Sequence, residues 1–497
     1  MEGFPFASLS MILPVLGSVL LVFLREEYSK WVAVLTSALV FLLSLVSLLF
    51  FDFGQAQKVQ FEEKYTLVPE LNLSLHLGFD GLSYLMYILT TLVSLVAILW
   101  SVRDQKVKHR LKEYFTWFLL TETFLVGVFA SLDLMVFYVF YELTLVPMFF
   151  VIGIWGYKLR LYSAYKFFIY IFVSSLFLLL GIVSLAVAHQ RQFGKFSFNY
   201  FDLLNNSYSL GFEVFMFLLF FLAFAVKTPI VPFHTWLPDA HGEAPTAGSV
   251  VLAAVLLKMG TYALLRFNIG LFPEASVFLM PFIVLWGILT IVLASWFTIS
   301  QSNVKRFVAY SSVSHMGFVV AGMFLLNAEG LRASIMEMFA HGLTSSAFFM
   351  MAGLFYERLN SFDTKVLKGS AKFMPLFALV VVLTAYSSMG LPGGSSFWGK
   401  FLTIVGAREY TLQLSLLVLA GAFFSAVYVL YLLKVLYLDD AEERQANLSD
   451  IRGLKLLSFL FLVLPMLLVG FLPHVFFAFF DSYVGNLLRY LISKVGA

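Results

Sequence analysis

Apolar residues run along this chain in blocks of about twenty, each long enough to cross a ~30 Å hydrocarbon core as a helix. Polar connections between the blocks are short. Reading spans from length and apolarity predicts about fourteen, at 4–24, 30–51, 78–101, 114–131, 133–154, 162–188, 211–230, 245–267, 275–299, 305–326, 332–356, 374–406, 410–438 and 455–480. The last stretch, 481–495, reads as amphipathic and interfacial. The longest connections, 52–77, 189–210 and 439–454, leave no room for a soluble domain. The predicted fold class is an all-α polytopic membrane protein with about 14 transmembrane helices.

Composition agrees. Of 497 residues, 61% are hydrophobic and 12% charged, against about 25% charged in a soluble domain. Net charge is +3, so nothing points to nucleic acid, and the lipid bilayer is the first partner. The chain has no cysteine, which excludes disulfides, thiolate iron–sulfur ligation and thiolate zinc sites. The first block carries Glu2 and no basic stretch before it, so it reads as a span rather than a signal peptide.

Basic residues favour alternate connections. Arg103, Lys106, Lys108, Arg110 and Lys112 crowd one; Lys158 and Arg160, Lys305 and Arg306, then Arg358, Lys365, Lys368 and Lys372 keep the same parity. The other side holds fewer, such as Lys58, Lys64, Arg191, Lys195 and Arg408. The positive-inside rule turns the first set toward the cytoplasm. An even span count then leaves both termini on the non-cytoplasmic side of a cell inner (cytoplasmic) membrane.

Two spans are interrupted. In 226–234, Pro229 and Pro232 cannot donate to the carbonyls of Ala225 and Thr228, which need other partners. In 390–400, Pro392 frees the carbonyl of Ser388 and four glycines loosen the rest. A lysine, Lys227 or Lys400, adjoins each break. Broken helices in corresponding positions of two halves point to a transport site. The halves would be 113–270, spans four to eight, and 271–440, spans nine to thirteen. They are flanked by 1–112, with spans one to three, and 441–497, with span fourteen and the amphipathic tail.

Charges inside apolar runs are the candidate chemistry. Glu142 sits in 136–150, a run with no other charge, and a carboxylate there costs roughly 2.5–3.5 kcal/mol on insertion scales. Lys227, Lys258, His315, His341 and Lys400 fall in similar stretches. Such a series suggests a route for protons or ions. If Glu142 and Lys227 meet, each favours the other's charged form, and parting them lets the lysine release its proton. The alternative is a static buried ion pair that fixes packing. Lys258 lies near mid-span, too deep to snorkel. His315 is surrounded by serines, and histidine titrates in the range that suits a shuttle. His341 follows Glu337 by four residues on one helix face. Both histidines also fit the reading of satisfied core residues. Lys400 is an exit-side carrier or a lysine reaching for the interface. Lys166, Glu122, Lys434 and Glu213 are weaker candidates.

Two patterns are set aside. Gly394 to Lys400 spells the start of a P-loop, but Phe401 stands where the magnesium-binding hydroxyl belongs, and a membrane helix precedes it. His234, Asp239, His241 and Glu243 resemble metal ligands, yet they bracket a Pro-rich turn and read as a polar loop at the mouth of the path.

Several of these stretches also carry a resemblance. Tyr141–Gly156, Lys227–Ser249 running on to Lys258 and Arg266, Tyr310–Gly317 and Ala340–Ser346 look like the antiporter-like subunits of respiratory complex I, of the NuoM/ND4 type (NADH-quinone oxidoreductase chain M). The resemblance spans nearly the whole chain. It implies a fourteen-helix bundle with two inverted five-helix repeats and discontinuous helices 7 and 12. It implies that Glu142 pairs with Lys227, the pumping lysine, and that Lys258 and His315 connect the half-channels. It implies no cofactor in this chain, with NADH, FMN, iron–sulfur clusters and quinone in other subunits, and NuoN/ND2-like and NuoL/ND5-like neighbours in the membrane arm. One departure stands out: the type usually has glutamate where this chain has Lys400. A lysine there resembles sister subunits and antiporter subunits of the Mrp type. An Mrp-type Na+/H+ antiporter subunit, or a membrane subunit of a related hydrogenase or ferredoxin-linked complex, is therefore the alternative. The chain ends after span fourteen with no long lateral helix, which argues against the NuoL/ND5 type.

Overall fold

A computed structural model of the protein describes residues 4–104, 107–440 and 448–496. Glu2, Lys106 and the middle of the 439–454 connection lie outside the described residues. Among those described, thirteen helices are long and apolar enough to cross a membrane, or fourteen if the bent pair Thr364–Phe373 and Pro375–Met389 is one span. The chain is a multi-pass membrane protein.

Most boundaries fall within a few residues of those expected, and the exceptions have local causes. The expected span 374–406 is two helices, Pro375–Met389 and Ser395–Tyr410. Between them Gly390 and Gly393 take φ values of 80° and 88°, which favour glycine over any side chain. The expected span 455–480 stops at Phe471, and Pro473 opens a separate helix to Val495. Proline has no N–H to continue the ladder, and it pushes Leu472 out of the helical region. The resulting tail helix is longer than the interfacial stretch expected at 481–495. It touches the bundle where Phe479 meets Gly81 and Asp481 pairs with Arg332.

The connection 52–77 is not a plain loop. Strands β1 (Gln60–Val68) and β2 (Leu73–Phe79) form an antiparallel hairpin. Leu73-Ser-Leu-His-Leu77 alternates with period two, the strand signal. Asn72 turns the chain at φ 49°, a conformation asparagine tolerates. Glu63 on β1 accepts the backbone N–H groups of Ala7 and Ser8, capping the first span, whose N-cap residue is proline and supplies no side-chain bond.

The hairpin marks one end of the bundle and the basic connections mark the other. At the basic end Tyr157 N–H donates to Glu243 O and Val304 N–H to Phe362 O. The first helix starts, and the tail helix lies, at the hairpin end. Four helical stretches are walled in on nearly all sides: Gly81–Ser101, Thr246–Ile269, Val304–Phe324 and Ala328–Leu359. Three of them carry the site.

Candidate functional site

Lys258, His315 and His341 meet at mid-depth. Lys258 lies twelve residues in from Thr246 and His315 eleven in from Val304, about 18 and 17 Å along their helices. The helix around Lys258 is irregular: Leu252–Leu256 winds as a π-helix, a widening that disturbs the usual carbonyl pairing. Lys258 Nζ donates to the Ala253 carbonyl at 2.7 Å and contacts His341 Nδ1 at 2.6 Å. A lysine donor makes His341 Nδ1 the acceptor and leaves the proton of the neutral ring on Nε2.

From His341 the cluster continues. The His341 and His315 rings lie 5.1 Å apart. His315 Nδ1 contacts Glu337 Oε1 at 2.6 Å, and its Nε2 lies 3.2 Å from Ser388 Oγ. The Ser388 carbonyl accepts Lys400 Nζ at 2.8 Å, and Lys400 also donates to Ser425 Oγ at 2.7 Å. This is the carbonyl that Pro392 frees, so the break itself supplies Lys400 with its partner. Glu337 reaches this corner because residue 399 is glycine. A Cβ there would sit 2.3 Å from Glu337 Oε2.

Glu337 and His341 do share a helix face, but they do not bond each other. Glu337 holds His315 and His341 holds Lys258. Glu337 carries the same sequence signal as Glu142, a carboxylate in a long apolar helix. It is the only carboxylate hydrogen-bonded to any of these four residues among the described residues. Ser388, Ser425 and Tyr141 carry no such signal, since buried serines and tyrosines are common in this bundle.

Glu142 and Lys227 act on each other electrostatically but make no direct contact. Lys227 is fully buried, with Nζ 4.8 Å from the centre of the Tyr141 ring and no hydrogen bond. Among the described residues no ion pair joins it to Glu142, whose Oε1 is also unpartnered. Successive helical residues point about 100° apart. The buried Tyr141 packs on Lys227, and Glu142 takes the partly buried neighbouring face. Lys227 ends its helix, Leu210–Lys227. The Ala225 carbonyl facing Pro229 is taken by Ile230 N–H, and Val226 O by Trp236 Nε1. Thr228, next to Lys227, and Gly260, two residues from Lys258, are in tight contact. A Cβ on Gly260 would lie 2.4 Å from Thr228 Oγ1, so only glycine allows this approach. The buried Thr228 hydroxyl has no partner.

Of the four residues set aside as metal-like, His234 lies in the turn and the other three on the helix that follows it. Residues 236–243 are helical, and their side chains diverge. Asp239 pairs with Lys166 at 2.7 Å and Arg306 at 2.9 Å. Glu243 accepts Leu159 N–H. His241 stacks on Phe349, and His234 on Phe297. Among the described residues no group of three or more His, Asp or Glu is placed to hold a metal ion. Of the weaker candidates, Lys166 is ion-paired rather than snorkelling, Glu122 is buried against Ser37 Oγ, and Glu213 accepts Ala275 N–H.

Residues 131–427 match the family model described as NADH:quinone oxidoreductase/Mrp antiporter, TM. The chain is 39% identical over 485 residues to NADH-ubiquinone oxidoreductase chain 4 of Marchantia polymorpha, covering 97% of this chain and 96% of that one. It is 36% identical to NADH-quinone oxidoreductase subunit M of Rickettsia conorii, covering 97% and 99%. A chain of respiratory complex I from Thermus thermophilus superposes with a TM-score of 0.87 at 28% identity, covering 98% and 99%. A chain of the Mrp complex from Dietzia superposes at 0.82 and 21% identity, covering 99% of this chain and 56% of that one, which speaks to fold alone. The chain belongs to the NADH:quinone oxidoreductase/Mrp antiporter transmembrane family.

Proposed function

We propose that this chain moves protons as a membrane-arm subunit of an NADH:quinone oxidoreductase. The redox chemistry takes place in other subunits, which hold the FMN, iron–sulfur clusters and quinone. The carrying observation is the buried run Lys258–His341–His315–Lys400 at mid-depth, with Glu337 as its carboxylate. Its groups are spaced for transfer, with a 2.6 Å lysine–imidazole contact and a shared Ser388 between His315 and Lys400. The order differs from the sequence reading in one respect: His341 stands between Lys258 and His315.

The two halves, 113–270 and 271–440, each contribute one broken helix and the lysine beside it. Lys227 is the release group of the first half. Lys227 makes no direct ion pair with Glu142 and has Tyr141 beside it, while the two charges act on each other, which supports a switch set by small changes in their separation. Glu142 lies on the partly buried flank of its helix, within reach of a charge on a neighbouring NuoN/ND2-like or NuoL/ND5-like subunit. The basic connections share one end of the bundle, which supports a cytoplasmic placement of that end in the inner membrane and both termini on the opposite side.

The test is proton translocation by the assembled complex carrying Glu142→Gln or Lys227→Ala. Loss of NADH-driven pumping with retained assembly is expected; full stoichiometry in either variant defeats the scheme. Lys400 gives the Mrp-type reading its one specific support. Sodium-dependent transport in proteoliposomes without NADH would select that reading instead.

A further inference from the structure

The basic end of the bundle contains a cavity of about 1020 Å3 that the transport reading does not use. Its wall carries Arg103, Arg358, Arg452 and Lys455, with Phe373 and Leu454 at the apolar rim. Three carboxylates stand close, and all are engaged: Asp104, which acts on Lys455 and has a partner of its own, Asp450 and Glu357. Asp450 accepts Leu376 N–H at 2.7 Å, Phe377 N–H at 3.0 Å and Ile451 N–H at 2.7 Å. Glu357 is paired with Lys455. Among the described residues the guanidinium groups of Arg103 and Arg452 have no ion-pair partner, and the buried Arg358 Nε has no hydrogen-bond partner. The eighteen-residue helix Leu454–Phe471 also opens into this cavity, and its N-cap Gly453 offers no side-chain cap. Unpaired guanidiniums beside uncapped helix N–H groups form an anion site.

The surface below the cavity says which anion. Leu376 and Leu379 on one helix, and Leu457, Leu460, Leu464 and Leu468 on the next, are 39–56% exposed. Those on the second helix recur every three or four residues and so share one face. A phosphate in the cavity therefore has an apolar track leading from it into the hydrocarbon.

We propose that this cavity binds the phosphate headgroup of an anionic phospholipid, with the acyl chains lying along the 375–389 and 454–471 helices. The site is independent of the proton route, and its occupant arrives from the bilayer. Free phosphate shares the headgroup chemistry but leaves the leucine track unused. An acidic segment of a neighbouring subunit would meet the arginines without acyl chains.

The test uses the assembled, delipidated complex and phosphatidylglycerol with a photoreactive group near its phosphate, its crosslinks mapped by mass spectrometry. Labelling within 373–379 and 448–460 is expected, and the phosphatidylcholine analogue should label these segments far less. At about 1 kcal/mol per cation near the membrane surface, Arg358→Gln with Arg452→Gln raises the half-saturating lipid concentration roughly thirtyfold. Arg452→Gln alone raises it roughly fivefold; this residue is exposed, so the single variant carries the test if the double one fails to assemble. Arg191→Gln, at the opposite end, leaves labelling unchanged. Equal labelling by both lipids, or no change in Arg452→Gln, overturns the proposal. Displacement of the label by inorganic phosphate assigns the site to a soluble anion and also overturns it. So does a crosslink from the cavity to another polypeptide in the native complex.

Discussion

Replacing Glu337 by glutamine is the sharpest probe of the site. The two side chains have nearly the same shape, and a glutamine amide still bonds His315, so the change removes charge and little else. The carboxylate contacts His315 Nδ1 at 2.6 Å. At an effective dielectric of about 20, opposite charges about 4 Å apart attract by about 4 kcal/mol. Since 1.36 kcal/mol is a factor of ten, losing that attraction is enough to slow a proton transfer through this site at least tenfold. If the route runs through His315, NADH-driven proton uptake into vesicles falls at least tenfold, with assembly and melting temperature nearly unchanged. Glu337→Asp, whose carboxylate is withdrawn by one methylene, falls between. Wild-type rate and stoichiometry in Glu337→Gln would refute the reasoning. A defect in Glu337→Ala that glutamine fully rescues would reduce Glu337 to a packing residue.

Lys400→Glu restores the residue usual in the resembling type, yet it should damage this chain. Lys400 Nζ faces the Ser388 carbonyl at 2.8 Å and the Met389 carbonyl at 3.4 Å, so a carboxylate there meets two acceptors, with the Ser425 hydroxyl as its one nearby donor. A loss of about 3 kcal/mol in a thermal melt is expected; a wild-type melt with full pumping would show that the site is not built for a cation. The buried Arg266–Asp80 pair, 2.6 Å apart, predicts a loss of about 3–5 kcal/mol for Asp80→Asn, because it strands a guanidinium. Adding Arg266→Leu should recover most of it, and a double variant no better than the single would contradict this. Burial pushes the Asp133 carboxyl up to about 6, outweighing the backbone N–H groups of Val136 and Met135 that it accepts. Its unfolded value is about 3.9, so this group's stability is present below pH 4 and lost as pH rises through 6. Asp133→Asn keeps a helix cap and should flatten the melting temperature across that range; an unchanged slope would assign it to other groups.

The sequence by itself determined the class of protein, the number and approximate limits of the spans, both breaks and the six candidate residues. These are local properties. Twenty apolar residues in lipid have little choice but helix, proline removes a donor wherever it stands, and a charge in an apolar run is visible without knowing its neighbours. Period-two alternation in Leu73–Leu77 was equally local and marked a strand that span length alone passed over. Tertiary structure decided which charges meet. Glu337 and His341 share a face, but helix crossings send one to His315 and the other to Lys258. Glu142 and Lys227 act on each other's charge, yet the 100° step of one helical residue puts Tyr141, not Glu142, in contact with the lysine. Contacts between helices depend on rotation and approach, and single positions such as Gly260 and Gly399 set the approach. A glycine in a sequence does not say which side chain it makes room for.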